Sequence, residues 1–350
     1  MNSFKLLVIA LVLLFVFLGF MIMAPILNQE QGSEPTLAEA PTDPLLEAIE
    51  KIEPVKTIEF DLKYDKYLIP EPYTYEKSGE TRTFEFEKMI ETLAKTEQEA
   101  EKGMLTYVDN YKNRNGMAPA YRGKSVDGAG NNRSASAPGY PDLGNKDEFM
   151  YISDGTLVRV LEEMPELIKV SLVENQSEYY IPSKYVQTED IILELNKAVV
   201  VDRKNQNIAV FEKRFYGGNM GHEKKTRWTI VSYSLATTGK VGKYHQPTSL
   251  GYYFAIEKKE RFYYLQDGTD QIEGYAPYAV RFNAGAYTHG VAVAYRYAED
   301  GTRIDPGLQE FSRSIGTVPL SHKCVRNYTS HAKFIYDWYV HGETIVVVIE

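Results

Sequence analysis

The sequence predicts a mainly β protein with few helices. From about residue 147 to the C-terminus, short runs rich in Val, Ile and Tyr alternate with turn residues, which is the pattern of consecutive β-strands. Aromatic residues make up 13% of the chain, and this share favours half-buried strands. In the body of the chain, apolar residues keep a clear helical spacing in two stretches, Phe86–Ala100 and Ser330–Tyr339.

The first helical stretch lies in an otherwise irregular region. The apolar pattern runs from Phe84 to about Tyr111, and we expect Thr83 to cap this helix and Gly103 to end or weaken it. Residues 113–146 are rich in Gly, Asn, Ser and Pro, which predicts a long loop. Residues 56–146 are therefore predicted to form a helical and irregular stalk region.

Residues 147–190 are predicted to form a small β module. Strands are expected at Thr156–Val160, Leu167–Leu172 and Glu178–Pro182, and a Tyr185-Val186 pair closes the segment. Short strands this close together are typical of a small barrel, and the order is similar to that of bacterial SH3-like modules. A β-hairpin extension of the next domain is the alternative.

Residues 191–350 continue the β pattern and are predicted to form the largest domain. Its one obvious helix begins near Ser330, whose hydroxyl can accept from first-turn amides. Strands are predicted at Ala198–Asp202, Asn207–Phe211, Trp228–Ser232, Tyr252–Ile256, Tyr278–Phe282, Val291–Tyr295 and Thr344–Ile349.

An uncharged apolar run extends from Leu6 to Leu27. As a helix it would span roughly 33 Å, enough for a bilayer core. No good small-residue cleavage site follows, so residues 1–27 are predicted to be an uncleaved transmembrane anchor and 28–55, rich in Glu and Pro, a linker. Lys5 precedes the run and acidic residues follow it, which predicts a single-pass protein of the cell envelope with an extracytoplasmic body.

Cys324 is the sole cysteine of the chain. A lone thiol in an exported protein has no intramolecular partner and is either inert, bridged to another chain, or reactive. His322 and Arg326 are close in sequence, His289 ends an earlier strand, and a helix follows. Imidazoles, cationic groups and helix N-termini activate thiols, so these features together predict a nucleophilic cysteine with a lowered pKa.

The segment Ser321-His322-Lys323-Cys324-Val325-Arg326, preceded by His289-Gly290, resembles the signature of the L,D-transpeptidase family. Further blocks agree in order: Ala236–Gly239, Gln246–Tyr253 and Ala276–Phe282. The resemblance covers about residues 191–350. It implies a β-sandwich catalytic domain with one helix after the catalytic cysteine.

The resemblance also implies thiol acyl transfer on peptidoglycan stem peptides. Cys324 would attack a tetrapeptide stem and release D-alanine, and an amine of a second stem would complete a 3–3 cross-link. His289 would be the base, oriented by the Gly290 carbonyl. Backbone amides at Lys323 and Cys324 would stabilise the oxyanion.

The remaining site residues are also implied by the resemblance. His322 is expected to orient the site, to be an alternative base, or simply to order the loop. Residues expected to contact the substrate or hold the site loop are Arg326, Tyr278, Ser321 and Asn327.

The sequence departs from the family pattern in two places. Lys323 stands where the family usually has Gly. If that position needs a positive φ, Lys costs about 1 kcal/mol of strain. The Lys323 amine would lower the pKa of the Cys324 thiol or contact the substrate carboxylate. The interval between His289 and Cys324 is longer than usual, and we expect Ala298–Pro306 to form an inserted hairpin tip. The Tyr-rich stretch Arg261–Tyr275 is either a lid or a plain surface loop.

Other chemistries are disfavoured. A net charge of −9 without a basic cluster argues against nucleic-acid binding. His222, His245, His331 and His341 show no metal-ligand spacing, so neither a metal nor a cofactor is expected. Three alternatives stay open: a sortase-like transpeptidase, whose expected Arg lies far beyond its Cys; a catalytically inactive wall-binding scaffold; and a hydrolase that passes the same acyl group to water.

Overall fold

The computed structural model describes residues 58–188, 194–216 and 225–350. The predicted anchor, residues 1–27, and the predicted linker, residues 28–55, lie outside these residues. In the part of the chain that is described, no helix combines the length and apolar character needed to cross a membrane.

The first described region mixes one α-helix with short strands. The helix has the predicted amphipathic face, but Glu85 rather than Thr83 occupies its N-cap position, so that capping prediction is wrong. The segment predicted as a long loop, residues 113–146, contains one strand and the 3-10 turn Arg133–Ala135, and a second 3-10 turn, Tyr111–Asn113, ends at its first residue. In chain order the elements are β1 (Thr74–Lys77), β2 (Glu80–Thr83), α1 (Phe86–Lys102), β3 (Leu105–Val108), β4 (Ser136–Gly139), β5 (Met150–Ser153), β6 (Leu157–Glu163), β7 (Leu167–Leu172), β8 (Glu178–Pro182) and β9 (Val186–Gln187).

The small β region is a five-stranded sheet in the order β8–β7–β6–β3–β9. Its strand β3 comes from before residue 147, because Tyr107 pairs with Leu157 of β6 and with Gln187 of β9. The sheet therefore contains residues from both sides of position 147, where the sequence predicted a domain boundary. Its own core includes Val158, Val170 and Ile181.

Residues 58–102 pack onto the C-terminal region and do not form a separate stalk. Phe60 forms a bridge with Ile230, and the buried face of α1, including Met89 and Leu93, shares one apolar core with Phe211. Burial of such side chains stabilises each by about 1.5–3 kcal/mol. Helix α1 is thus held by tertiary packing.

The C-terminal region is β-rich, and the prediction of a mainly β fold is confirmed. The strands predicted at Thr344–Ile349 and, in the preceding region, at Leu167–Leu172 and Glu178–Pro182 have the expected bounds. The elements are β10 (Lys197–Asp202), β11 (Asn207–Tyr216), β12 (Lys225–Leu235), β13 (Gly251–Phe254), β14 (Glu257–Leu265), β15 (Ile272–Asn283), β16 (Ala286–His289), β17 (Val293–Ala294), β18 (Arg296–Tyr297), β19 (Arg303–Ile304), β20 (Val325–Arg326), α2 (Thr329–Trp338) and β21 (Thr344–Ile349).

Two sheets face each other across a shared core. One has the order β12–β11–β10–β21–β13, with β10 and β21 parallel. The other has the order β14–β15–β16–β20. Val199 and Val346 of the first sheet pack with Phe282 and Val325 of the second, and Ile335 of α2 joins them.

Two local predictions in this region have different outcomes. The predicted hairpin is confirmed: β18 pairs with β19, and Gly301 lies at the tip with a φ of +80°. Ser330 does not cap α2, because the helix begins one residue earlier and the Glu310 carboxylate accepts from the Ser330 N–H at 2.9 Å. An acidic side chain stabilises a helix N-terminus through the exposed amides and the helix dipole.

Candidate active site

Parallel pairing of β16 with β20 brings the cysteine and histidine segments together. Thr288 pairs with Val325 and His289 with Arg326, which sets Cys324 beside Tyr287, one position earlier. Side chains alternate between the two faces of a strand. Cys324 and His289 therefore project from the same face, and both line one cavity.

His289 is buried and its orientation is fixed. Its Nδ1 lies 2.5 Å from the carbonyl oxygen of Gly290, which can only accept, so Nδ1 carries a proton and Nε2 is free to accept one. Burial, together with the Arg326 charge, lowers the pKa of His289 to about 4. The imidazole is therefore neutral near pH 7.

Cys324 is 9% exposed and packs against Tyr287 and Phe262. Its Sγ lies 3.8 Å from the carbonyl oxygen of Gly285. Burial raises the pKa of the Cys324 thiol to about 11, against the smaller lowering effects of the Tyr287 N–H, Lys323 and Arg326. The sequence-based expectation of a lowered pKa is wrong for the free site, because desolvation outweighs nearby positive charge.

Lys323 fits its position without backbone strain. Its φ is not in the left-handed region. Lys323 therefore does not carry the backbone strain that a positive φ would have caused. Burial lowers the pKa of the Lys323 amine, while the Cys324 and Asp154 charges raise it. Among the described residues no carboxylate forms an ion pair with this amine.

The loop that carries Cys324 is held by short polar contacts. Ser321 Oγ donates to the Cys324 carbonyl, and Thr248 Oγ1 donates to the Lys323 carbonyl at 2.8 Å. Gly239 lies directly beneath: a Cβ there would stand 2.8 Å from Lys323 Cα and 2.2 Å from the Gln246 oxygen. The Ala236–Gly239 block of the sequence thus has a steric role under the cysteine loop.

The four residues expected to contact the substrate have different locations. Arg326 and Ser321 line the cavity, and Arg326 Nη1 donates to Ser314 Oγ at 3.1 Å. Asn327 is fully buried outside the cavity lining, and its N–H donates to the His289 carbonyl at 2.8 Å. It positions the His289 backbone and is not a contact residue.

Tyr278 was predicted to line the site, but it is not among the residues that line the cavity. It lies on β15 with a φ of +54°, and its ring faces Tyr336 and Lys333 of α2. The positive φ turns this side chain towards the helix.

The cavity has a volume of about 540 Å³. Part of its wall is unexpected from sequence: Tyr111 and Lys112 come from the region before the catalytic sheets, and the strand Phe262–Leu265 comes from β14. The stretch Arg261–Tyr275 is therefore a β-hairpin over the site and not a plain loop. The Tyr and Phe residues of this hairpin could have indicated from sequence that it lines the site. No sequence feature near Tyr111 indicated that this residue would line the cavity.

His322 lies at the rim, with an exposed side chain. Its Nε2 lies 2.8 Å from Asp267 Oδ1, and its ring stacks on His245 with centroids 3.9 Å apart. The possible ligand atoms of His245, Asp267 and His322 all lie within 4.8 Å of one another. Sequence spacing gave no reason to group these residues, because they come from three separate loops.

Comparisons with known proteins place the C-terminal region in relation to a known family. Residues 196–348 match the family model described as L,D-transpeptidase catalytic domain, YkuD. No curated protein sequence matched the chain.

Similar solved structures include three bacterial proteins. A fused Zn-dependent amidase/peptidase/peptidoglycan-binding protein from Clostridium acetobutylicum shares 18% identity over 44% of this chain and 51% of that chain, with a TM-score of 0.27. An L,D-transpeptidase from Mycobacterium smegmatis shares 15% over 55% and 82%, with a TM-score of 0.31. L,D-transpeptidase 3 from Mycobacterium tuberculosis shares 16% over 62% and 78%, with a TM-score of 0.30.

This chain spans about half the length, 51%, of the Clostridium protein. The assignment therefore rests on the family model and is limited to the residues it matches. Within those limits, residues 196–348 are similar to the L,D-transpeptidase catalytic domain of the YkuD family.

Proposed function

We propose that the protein forms 3–3 cross-links in peptidoglycan by thiol acyl transfer from a tetrapeptide stem, with release of D-alanine. The observation that carries the proposal is that Cys324 and His289 line one cavity from neighbouring parallel strands. The family match at residues 196–348 supports the same reaction class.

The free site holds a neutral thiol and a neutral imidazole. As Cys324 Sγ attacks the carbonyl carbon of the stem's third residue, its proton passes to His289 Nε2 and an S–C bond forms. Gly290 stabilises the resulting imidazolium, since its carbonyl accepts the Nδ1 proton at 2.5 Å. In this general-base mechanism the thiolate forms only during attack, so a raised thiol pKa is compatible with catalysis.

The negative oxygen of the tetrahedral intermediate needs donors that are not already occupied. Among the described residues, the amide N–H groups of Lys323 and Cys324 donate no hydrogen bond, and both residues line the cavity. We assign them to the oxyanion hole, where loss of one donor typically costs about 3–4 kcal/mol of transition-state stabilisation.

Collapse of the intermediate breaks the C–N bond, and the His289 imidazolium gives its proton to the departing D-alanine amine. An amine of a second stem then attacks the thioester, and His289 takes its proton and returns it to the leaving sulfur. The cross-link forms and the free thiol is restored. If water is the acceptor, the same steps give a carboxypeptidase.

Two cationic side chains favour a substrate with a free carboxylate. Lys323 and Arg326 both line the cavity beside Cys324, and burial lowers the pKa of each group. A carboxylate would relieve this unfavourable desolvation. We assign the D-alanine carboxylate to this pair.

The body would reach its substrate from the outer face of the membrane. The apolar run Leu6–Leu27 motivates this placement. Fractionation of cells producing the full-length protein, followed by protease treatment of spheroplasts, tests it: the body is expected to be digested from outside, and a protected body would contradict the placement.

The function is tested by incubating full-length protein with disaccharide tetrapeptides and identifying the products by mass spectrometry. Dimers joined 3–3 together with free D-alanine are expected, and Cys324→Ala and His289→Ala should abolish both. His341→Ala is the matched control, because His341 lies outside the cavity lining.

Other outcomes of this experiment distinguish the alternatives. D-alanine without dimers would support the hydrolytic enzyme. Neither product, together with no acyl adduct on Cys324 in intact mass, would support the inactive scaffold and contradict the proposal.

A further inference from the structure

Three residues from separate loops converge at the rim of the active-site cavity. His245 lies in the loop after β12, Asp267 in the β14–β15 turn, and His322 two residues before Cys324. His322 Nε2 lies 2.8 Å from Asp267 Oδ1, and the two imidazole rings stack with an interplanar angle of 18°.

The chemistry of this group fits a divalent transition metal. Imidazole nitrogens and carboxylate oxygens bind Zn²⁺ at about 2.0–2.2 Å, and sites with three protein ligands keep a fourth position for water. Tetrahedral geometry then separates ligand atoms by about 3.4 Å. The present atoms lie within 4.8 Å of one another. Because the two imidazole rings are stacked, one ring must also turn so that both nitrogens face a single ion.

The side chains can make that movement while the loops stay in place. His322 and Asp267 are 55% and 41% exposed, so their rotamers are not locked by packing. The loops themselves are in contact: the Gln246 N–H donates to the His322 carbonyl at 2.5 Å, and the Tyr244 hydroxyl lies 2.9 Å from where a Cβ on Gly268 would be. Binding would therefore cost little backbone ordering.

We propose that His245, Asp267 and His322 form a Zn²⁺ site that ties the tip of the β14–β15 hairpin to the cysteine loop. Leu265 and His322 both line the cavity, so an ion at this point links two sides of its entrance. The bound metal restrains the hairpin that covers the site. This goes beyond the transpeptidase reaction and does not depend on it.

The first test is a Zn²⁺ titration of the full-length protein at pH 7.5 against a chromophoric chelator. One ion per chain is expected. His245→Ala and Asp267→Asn should each weaken binding at least tenfold, since even residues that only support a metal ligand contribute 10–100-fold. Asp270→Asn, an exposed carboxylate of the same turn, is the matched control and should bind as the unaltered protein does.

The Cys324 thiol could also bind Zn²⁺. The Cys324→Ser variant distinguishes binding at the thiol from binding at His245, Asp267 and His322. Retained binding in Cys324→Ser with loss in His245→Ala supports the proposal. Loss in Cys324→Ser with retention in His245→Ala overturns it, as does the absence of stoichiometric binding.

Hydrogen exchange gives a second readout that does not depend on activity. Zn²⁺ should slow amide exchange in residues 261–275 of the unaltered protein and of Asp270→Asn, and should leave it unchanged in His245→Ala. Equal protection in all three would overturn the role as a tether. Thermal unfolding with excess chelator should be the same for His245→Ala, Asp267→Asn and Asp270→Asn, because these side chains belong to none of the buried apolar clusters of the described residues.

Discussion

The guanidinium of Arg281 donates to the carboxylate of Asp154, and both side chains are almost fully buried, at 3% and 0% exposure. Arg281 lies on β15 in the C-terminal region, and Asp154 lies between β5 and β6 in the region before it. Asp154 Oδ1 also accepts from the Tyr111 N–H at 3.0 Å. The ion pair therefore joins the two regions at the cavity wall.

Removal of this carboxylate should be strongly destabilising. Among the described residues, Asp154→Ala leaves Glu257 as the one charged partner of the buried Arg281, and breaking a buried pair costs about 3–5 kcal/mol. Urea unfolding should show this loss in the free energy of unfolding. Glu148→Ala removes an exposed partner of Arg122 and should cost at most about 1 kcal/mol. Equal losses for both variants would show that Asp154 does not join the regions.

The rate at which the Cys324 thiol is alkylated in the free protein should keep rising with pH well above pH 8. Because the pKa of Cys324 is raised to about 11, the thiolate fraction grows about tenfold per pH unit through pH 7 to 10. The alkylation rate with iodoacetamide, followed by intact mass, should rise in parallel. A small-molecule thiol measured alongside should level off near its ordinary pKa of about 8.5.

A plateau below pH 8 in the protein would contradict this assignment. It would mean that the thiolate is already formed, as in a thiolate–imidazolium pair with His289. The general-base sequence of proton transfers would then be incorrect, although the acyl transfer itself would still stand.

Gly239→Ala should disturb the cysteine loop. The added methyl would stand 2.2 Å from the Gln246 oxygen and 2.8 Å from Lys323 Cα, both backbone atoms, so the loop must shift. We expect a stability loss of about 1–3 kcal/mol and a fall in acylation rate of at least tenfold. Gly128→Ala is the control, since no atom lies within 4 Å of its added Cβ. An unchanged acylation rate in Gly239→Ala would show that the cysteine loop does not require a glycine at this position.

Lys323→Met should weaken binding of stems with a free terminal carboxylate. A hydrogen bond to a charged group contributes about 1.5–3 kcal/mol, so KM for such a stem should rise about tenfold or more. KM for the same stem with an amidated terminus should change little. Equal effects on both substrates would mean that Lys323 acts on the thiol or the loop and not on the carboxylate.

Features that depend on local pattern could be predicted from the residues alone. Strand periodicity predicted the β-rich fold, the Asp300-Gly301 pair predicted the inserted hairpin, and the segment around Cys324 with His289-Gly290 indicated the family. These features need only the residue types of one segment and its immediate neighbours in the chain.

Features that depend on contacts between distant residues and on exclusion of water could be seen only in the folded chain. Tertiary structure brought Tyr111 into the cavity wall, turned Tyr278 towards α2, and gathered His245, Asp267 and His322 at the rim. It also reversed the expected pKa shift of Cys324, because the cost of burying a charge depends on the whole surrounding packing. Neither close approach nor desolvation is encoded in the spacing of residues along a single segment.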